Sequence, residues 1–219
     1  MIKACIFDLD GTVLYTLESI ARAGNKMLEQ LGFPVQPVDD YRFYCGNGAD
    51  KLVERLLKKT GGMNPENYSC GCLLNRRFLA EAPLYRVHPY EGMTEALKEL
   101  KRRGILLAVF SNKPDGAAKD AIEGSYGAGL FDLVRGQKKD VPMKPAPDGA
   151  LEIAGELGCL PCECLYFGDT GTDMQTGKNA GMKTVGVLWG YRGRKELEEN
   201  QASCIISKPS EIPGLLSVS

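Results

Sequence analysis

Lys3-Ala4-Cys5-Ile6-Phe7-Asp8-Leu9-Asp10-Gly11-Thr12 is the stretch that decides how this chain is read. Residues 3–7 form a short, β-rich apolar run that stops at two carboxylates. A near-continuous apolar run suits a strand buried on both faces, as in a parallel sheet. The pattern returns three times: residues 105–110 end at Ser111-Asn112, residues 164–168 at Gly168-Asp169, and residues 184–188 at Trp189-Gly190. Weaker strand candidates are 130–134 and 203–206. Helical segments separate them. Met93, Ala96, Leu97 and Leu100 share one face before Gly104, and Ala150, Leu151, Ala154 and Leu157 share another before Gly158. Strands alternating with helices predict an α/β fold, doubly wound on a mostly parallel sheet. In such folds ligands collect beyond the carboxyl ends of the strands, and three of these runs end in polar residues able to handle phosphate.

Residues 15–82 break the alternation. Leu17, Ile20, Ala21, Gly24, Met27, Leu28 and Leu31 follow the helical repeat, Ala49, Leu52, Val53, Leu56 and Leu57 follow it again, and residues 66–81 read as a further helix. The expected organisation is therefore an α/β core from residues 1–14 and 83–219, with an all-helical insertion at 15–82.

Composition narrows the function. The 219 residues are 43% hydrophobic and 25% charged, the balance of a globular protein with a real core. With 27 basic and 28 acidic residues the formal net charge is −1, so neither nucleic acid nor a membrane surface is an expected partner. The start lacks the features of a signal peptide, which predicts a cytoplasmic location. There the eight cysteines are expected as free thiols. Two clusters stand out, Cys70-Gly71-Cys72 and Cys159-Leu160-Pro161-Cys162-Glu163-Cys164. The second contains a C-x-x-C, but it falls in a loop between helix and strand. Cys70, at helical spacing with Leu73, Leu74 and Phe78, reads as a core residue. His88, the only histidine, reads as structural.

Four motifs carry chemistry. In Asp8-Leu9-Asp10-Gly11-Thr12 the acids stand one residue apart, and an extended chain would face them to opposite sides. A turn must begin there, and Gly11 suits it. A calcium loop is excluded, because its required Gly and Glu positions are occupied by Val13 and Ser19. Ser111-Asn112-Lys113 offers a hydroxyl and main-chain N–H groups to phosphate oxygens. Lys144, between Pro142 and Pro145, is held at reduced entropic cost. Asp169 lies at a strand end and Asp173 opens the next helix, where an acid can also serve simply as a cap. Asp8, Asp10 and Asp169 in one crevice would require a hard cation, and oxygen-only ligands point to Mg²⁺ over zinc.

These four motifs, in this order and on these strand ends, resemble the haloacid dehalogenase-like hydrolase superfamily over essentially the whole chain. The resemblance implies a Rossmann-like core and a phosphatase. In it, Asp8 is the nucleophile that becomes an aspartyl phosphate. Asp10 is the acid and base, and Ser111 and Lys144 hold the phosphoryl oxygens. Mg²⁺ is held by Asp8, the Asp10 main-chain carbonyl and Asp169, with Asp173 as a supporting acid. Thr12, Asn112, Gly46 and Gly48 complete the phosphate- and substrate-binding candidates.

The insertion resembles the helical cap of one large subgroup. Thr16-Leu17-Glu18-Ser19-Ile20, Cys45-Gly46-Asn47-Gly48-Ala49-Asp50-Lys51-Leu52 and Pro89-Tyr90-Glu91-Gly92-Met93 are similar to phosphoglycolate phosphatases. So are Lys144-Pro145-Ala146-Pro147-Asp148 and Gly186-Val187-Leu188-Trp189-Gly190-Tyr191-Arg192. The implied substrate is a small phosphorylated metabolite, 2-phosphoglycolate first. A β-phosphoglucomutase-like phosphotransferase and a pyrophosphatase are the alternatives on the same machinery. Two departures bear on substrate choice and cap closure: Tyr15 where such proteins usually have aspartate, and Met143 where they often have arginine. Monomer and homodimer are both compatible with the sequence.

Overall fold

The computed structural model describes residues 1–217. The chain opens with β1 (Ala4–Phe7) and a two-residue β2 (Leu14–Tyr15). Four helices follow: α1 (Leu17–Gln30), the short α2 (Tyr41–Tyr44), α3 (Ala49–Lys59) and α4 (Pro65–Glu81). A two-residue β3 (His88–Pro89) leads into α5 (Met93–Arg102), β4 (Leu106–Pro114), α6 (Asp115–Tyr126) and β5 (Leu133–Gln137). The rest is α7 (Asp148–Glu156), β6 (Cys164–Gly168), α8 (Gly171–Asn179), β7 (Lys183–Val187), α9 (Arg194–Glu199) and β8 (Cys204–Ile206).

Six strands form one sheet in the order β5-β4-β1-β6-β7-β8, and every pairing is parallel. The alternation of β1 shows why its apolar run is unbroken. Cys5 and Phe7 join Leu97, Leu100 and Ala121 from α5 and α6 on one face, while Ala4 and Ile6 join Ile153 and Ala154 from α7 on the other. The chain goes to one side of β1 for β4 and β5, then returns to the other side for β6. The crevice beyond the end of β1 is thus the topological switch point, where open α/β sheets bind ligands. The register aligns Phe7 with both Val109 and Phe167, so β1 and β6 end together at the crevice while β4 runs on beside it to Pro114.

Helices α1–α4 bury a cluster of their own, built on Met27, Leu28, Tyr41, Val53, Leu56 and Phe78. The chain passes from sheet to bundle at β2 and back at β3, and these strands pair antiparallel, Leu14 with Pro89 and Tyr15 with His88. The Tyr15 ring lies 5.0 Å from that of His88.

Several expectations need correction. Strand β4 does not stop at Ser111-Asn112. It runs through to Pro114, with a register shift after Phe110, and so carries Ser111 and Lys113 within a strand. The candidate at 130–134 is displaced to Leu133–Gln137, because Leu130 and Phe131 pack into the core on the α5 and α6 face of the sheet, Phe131 edge-on to Phe7. Cys70 is exposed and Leu73 is 66% exposed, while Gly71, Cys72, Leu74 and Phe78 are buried. Gly71 lets α4 lie close on Val53 and Met27, which turns the inner face one residue from the expected one. In α7 Leu151 is 41% exposed, and Ile153 takes the core position. All eight cysteines are free thiols, and no described helix is long and apolar enough to cross a membrane.

Candidate active site

The turn after β1 decides the geometry. Gly11 has φ +95°, and a Cβ there would stand 2.5 Å from Asp169 Oδ2. Only glycine meets both conditions. The turn is closed by Gly11 N–H to Leu14 O at 2.9 Å and Val13 N–H to Leu9 O at 3.2 Å. It brings Asp8 and Asp10 into one cavity, together with Ser111, Asn112, Lys113, Lys144 and Asp173.

Lys144 is the hub. Its side chain is 3% exposed, and Nζ donates to Asp8 Oδ1 at 2.6 Å and Asp173 Oδ1 at 2.7 Å. It also donates to Phe110 O at 3.2 Å. Asn112 fixes the Lys144 main chain. Asn112 Oδ1 accepts from Lys144 N–H at 2.9 Å, and Asn112 Nδ2 donates to Lys144 O at 3.3 Å and Gly46 O at 3.2 Å. The Asn112 amide, expected at phosphate, is therefore engaged in positioning the lysine.

Asp173 is both cap and site residue. Its Oδ2 accepts from Thr170 N–H at 3.1 Å and Thr170 Oγ1 at 2.6 Å at the start of α8, while Oδ1 meets Lys144. Asp169 is fully buried; Oδ2 accepts from Tyr191 N–H at 2.7 Å and Oδ1 from Thr12 Oγ1 at 3.2 Å. Thr12 is fully buried too and lies outside the cavity lining, so its hydroxyl positions Asp169 rather than a substrate. Asp10 points away from this cluster. Its Oδ1 accepts from Thr16 Oγ1 at 2.7 Å and Lys113 Nζ at 3.1 Å, and Thr16 Oγ1 shares a 2.8 Å hydrogen bond with Tyr191 OH.

Candidate ligand atoms of Asp8, Asp169 and Asp173 all lie within 4.8 Å of one another, the one such group among the described residues. Burial raises the Asp8 pKa well above the carboxylate range, Asp173 and Asp169 add to the rise, and Lys144 opposes it. Burial likewise pushes Asp169 up to about 7, reinforced by Asp173. For Lys144 burial acts downward, but Asp173 and Asp8 outweigh it, so the ammonium is held above its ordinary value. Three buried acids thus face one lysine, a deficit of positive charge. An all-oxygen donor set of this kind fits a hard divalent cation.

The bundle closes the cavity with the loop Cys45–Gly48, and Gly46 and Gly48 both line it. Gly48 has φ +85°, a backbone conformation that favours glycine, and a Cβ there would meet the flexible end of Met143, Cε, at 2.3 Å. Met143 is thus the seat on which the loop rests. Asn47 Nδ2 donates to Thr172 Oγ1 at 3.1 Å, and Arg55 donates to Asn47 Oδ1 at 2.6 Å. Thr16, Lys113 and Tyr191 are site residues that the sequence did not single out as catalytic or binding. Lys113 had a signal, two residues beyond Ser111 on a strand. The Thr16–Tyr191 contact spans 175 positions and had none. Trp189 donates from Nε1 to Thr12 O at 2.9 Å and so braces the turn. His88 is exposed and lies outside the cavity lining.

A model of the haloacid dehalogenase-like hydrolase family matches residues 5–187, so the chain belongs to that family. It is an enzyme of the phosphatase kind, similar throughout to phosphoglycolate phosphatases. The protein of that name from Aquifex aeolicus (strain VF5) is 33% identical over 98% of this chain and 96% of its own. The one from Pseudomonas savastanoi pv. phaseolicola is 31% identical over 99% of this chain and 80% of its own. A crystal structure from Lactobacillus delbrueckii subsp. bulgaricus, provisionally named phosphoglycolate phosphatase, superimposes with a TM-score of 0.93 at 29% identity, covering 98% of both chains.

Proposed function

We propose that this protein is a Mg²⁺-dependent phosphatase that hydrolyses a small phosphate monoester through an aspartyl phosphate on Asp8, with 2-phosphoglycolate as the first candidate substrate. The observation that carries this reading is the placement of Asp8 and Asp10 in one cavity with Lys144 Nζ 2.6 Å from Asp8. A carboxylate oxygen of Asp8 attacks phosphorus, and the bond to the ester oxygen breaks. Asp10 gives its proton to the leaving alcohol oxygen, then takes one from the water that attacks the aspartyl phosphate. Breaking the bond between phosphorus and Asp8 releases phosphate and restores the carboxylate. Asp10 is aimed for this by Thr16 and Lys113, which hold Oδ1. Ser111 and Lys144 bind the phosphoryl oxygens, since phosphoryl transfer asks mainly for positioning and charge neutralisation.

Asp8, Asp169, Asp173 and the Asp10 carbonyl would hold Mg²⁺, which supplies the missing positive charge among the acids and on the phosphoryl oxygens. Residues 15–82 serve as a cap over a core made of 1–14 and 83–219. Such an enzyme works in the cytoplasm on a soluble metabolite, without a nucleic acid or membrane partner. The bundle contributes Ile20, Ala23, Ala49, Leu52 and Leu79 to the cavity and no Lys, Arg or His. That lining argues against a second phosphate at the far end, as a mutase or a pyrophosphatase requires.

The test is phosphate release with Mg²⁺ from 2-phosphoglycolate, pyrophosphate, sugar phosphates and p-nitrophenyl phosphate, with Asp8→Asn as control. Preference for 2-phosphoglycolate, abolished in the variant, is expected. Turnover retained by Asp8→Asn would rule out the aspartyl phosphate.

A further inference from the structure

Helix α4 turns Gly71, Cys72, Leu74, Asn75 and Phe78 inward, and Asn75 is the one amide among them. It is 4% exposed and lines the cavity beside Ile20, Leu52 and Leu79. Its Oδ1 is fully buried and has no hydrogen-bond partner among the described residues. Four other buried side-chain atoms are likewise unpartnered, on Arg22, Arg42, Tyr166 and Arg192, and none of those residues lines the cavity. A buried polar group without a partner is destabilising, and a leucine of similar size would suit these neighbours better. A local rule broken without local compensation points to function.

The position narrows the function further. The charged groups of the cavity, Asp8, Asp10, Lys113, Lys144 and Asp173, all come from outside the bundle. A phosphate ester with its phosphoryl group on Asp8 therefore directs its alcohol toward an apolar wall interrupted by this one amide. We infer that Asn75 is a specificity-determining residue, whose amide hydrogen-bonds the far end of the leaving alcohol and selects esters that carry a polar group there. The substrate class is then short functionalised alcohols carrying, one or two carbons from the ester oxygen, a hydroxyl that can donate to Asn75 Oδ1, or a carboxylate or carbonyl that can accept from the amide Nδ2, in preference to plain alkyl esters. This assignment rests on the phosphatase reading given above.

The experiment compares wild type with Asn75→Leu on 2-phosphoglycolate, glycerol 1-phosphate and ethyl phosphate, with kcat and KM measured separately and the Tm of both proteins. Asn75→Ala serves as the second variant should leucine overfill the site. The expected result is a rise of about tenfold in KM for the preferred functionalised ester, the worth of one good hydrogen bond. Little change in kcat, unchanged or lower KM for ethyl phosphate, and an equal or higher Tm should accompany it. Equal loss on all three esters, or a lower Tm with no selective KM effect, would make Asn75 structural and overturn the assignment. An unchanged KM on every ester would overturn it too. If wild type turns over none of the esters, the phosphatase reading itself fails and takes the assignment with it, so the wild-type measurement tells the two failures apart.

Discussion

Replacing Lys144 by methionine keeps an apolar stem of similar length and removes the one charge that three buried acids share. Lys144 and Asp173 have side chains 3% and 2% exposed, and that of Asp8 is 9% exposed, so solvent screens the change little. Removing one partner of a buried pair costs about 3–5 kcal/mol, because the remaining charge stays buried without compensation. For a chain of this size 1 kcal/mol moves Tm by about 2–4 °C, so the expected loss is about 6–20 °C. The assay is thermal unfolding with a chelator at pH 8 and again at pH 5.5. Burial already raises Asp8, and losing Lys144 removes the group that opposes that rise, so Asp8 takes up a proton as the pH falls and sheds the uncompensated charge. The deficit of Lys144→Met should therefore shrink on acidification. Phosphate release should fall by a factor of about 10²–10³, as when a donor to a transferring group is lost. A variant that melts within about 2 °C of wild type at pH 8, or whose deficit is the same at both pH values, would refute the charge argument. In the second case lost packing, and not lost charge, would explain the effect.

Protons and Mg²⁺ should compete for the same acids. Asp169 is raised from 3.8 to about 7, so between those values the folded protein holds a proton that the unfolded chain has released. The stabilisation from that group is complete below about pH 4 and is lost as pH rises through about 7. With chelator, Tm should fall between pH 5 and 8, and Mg²⁺ should restore more of it at pH 8 than at pH 5; a chelated profile that is flat over this range would contradict the shift. Asp10→Asn should lower kcat by about 10²–10⁴, the usual contribution of a positioned acid and base. It should leave the Mg²⁺-induced rise in Tm nearly intact, because the Asp10 side chain faces Thr16 and Lys113 and not the acid cluster; loss of that rise would place the carboxylate among the ligands.

Much of this site was legible because its key residues sit where buried strands stop. The apolar run through Phe7 makes β1 central, and a central strand presents its next residue at the switch point. Asp8 needed no more than that. The same logic located Asp169; Ser111 was found because the apolar run ends there, although β4 itself continues to Pro114. Periodicity failed where neighbouring positions are equally apolar: Leu73 and Leu74, or Cys70 and Cys72 two residues apart, satisfy a helical repeat almost equally well. The close approach of Gly71 to α1 and α3 decided between them. Residues that hold other residues were the least legible. Thr12 and Tyr191 grip Asp169, and Asn112 grips Lys144, through hydrogen bonds between segments far apart in the chain. Their types are common on any surface, and only the folded arrangement gives them a task. Asn75 was hidden differently, as a polar residue on a helix assumed to face inward with its leucines.

The antiparallel pairing of Leu14–Tyr15 with His88–Pro89 has a mechanical consequence. Two separate tethers would let the bundle slide, shear or twist over the sheet. Fused side by side, they act as one pivot, and any rotation of the bundle must swing about that single pin. The excursion grows with distance from the pin, toward the rim where Asn47 meets Thr172, Gly46 meets Asn112 and Cys45 meets Arg192. Those three hydrogen bonds form a latch. Each is worth about 1 kcal/mol net, and water replaces it when the rim lifts. The doorway can thus open by parting a few polar contacts and the seat of Tyr191 against the bundle, while most of the packing inside bundle and sheet stays whole.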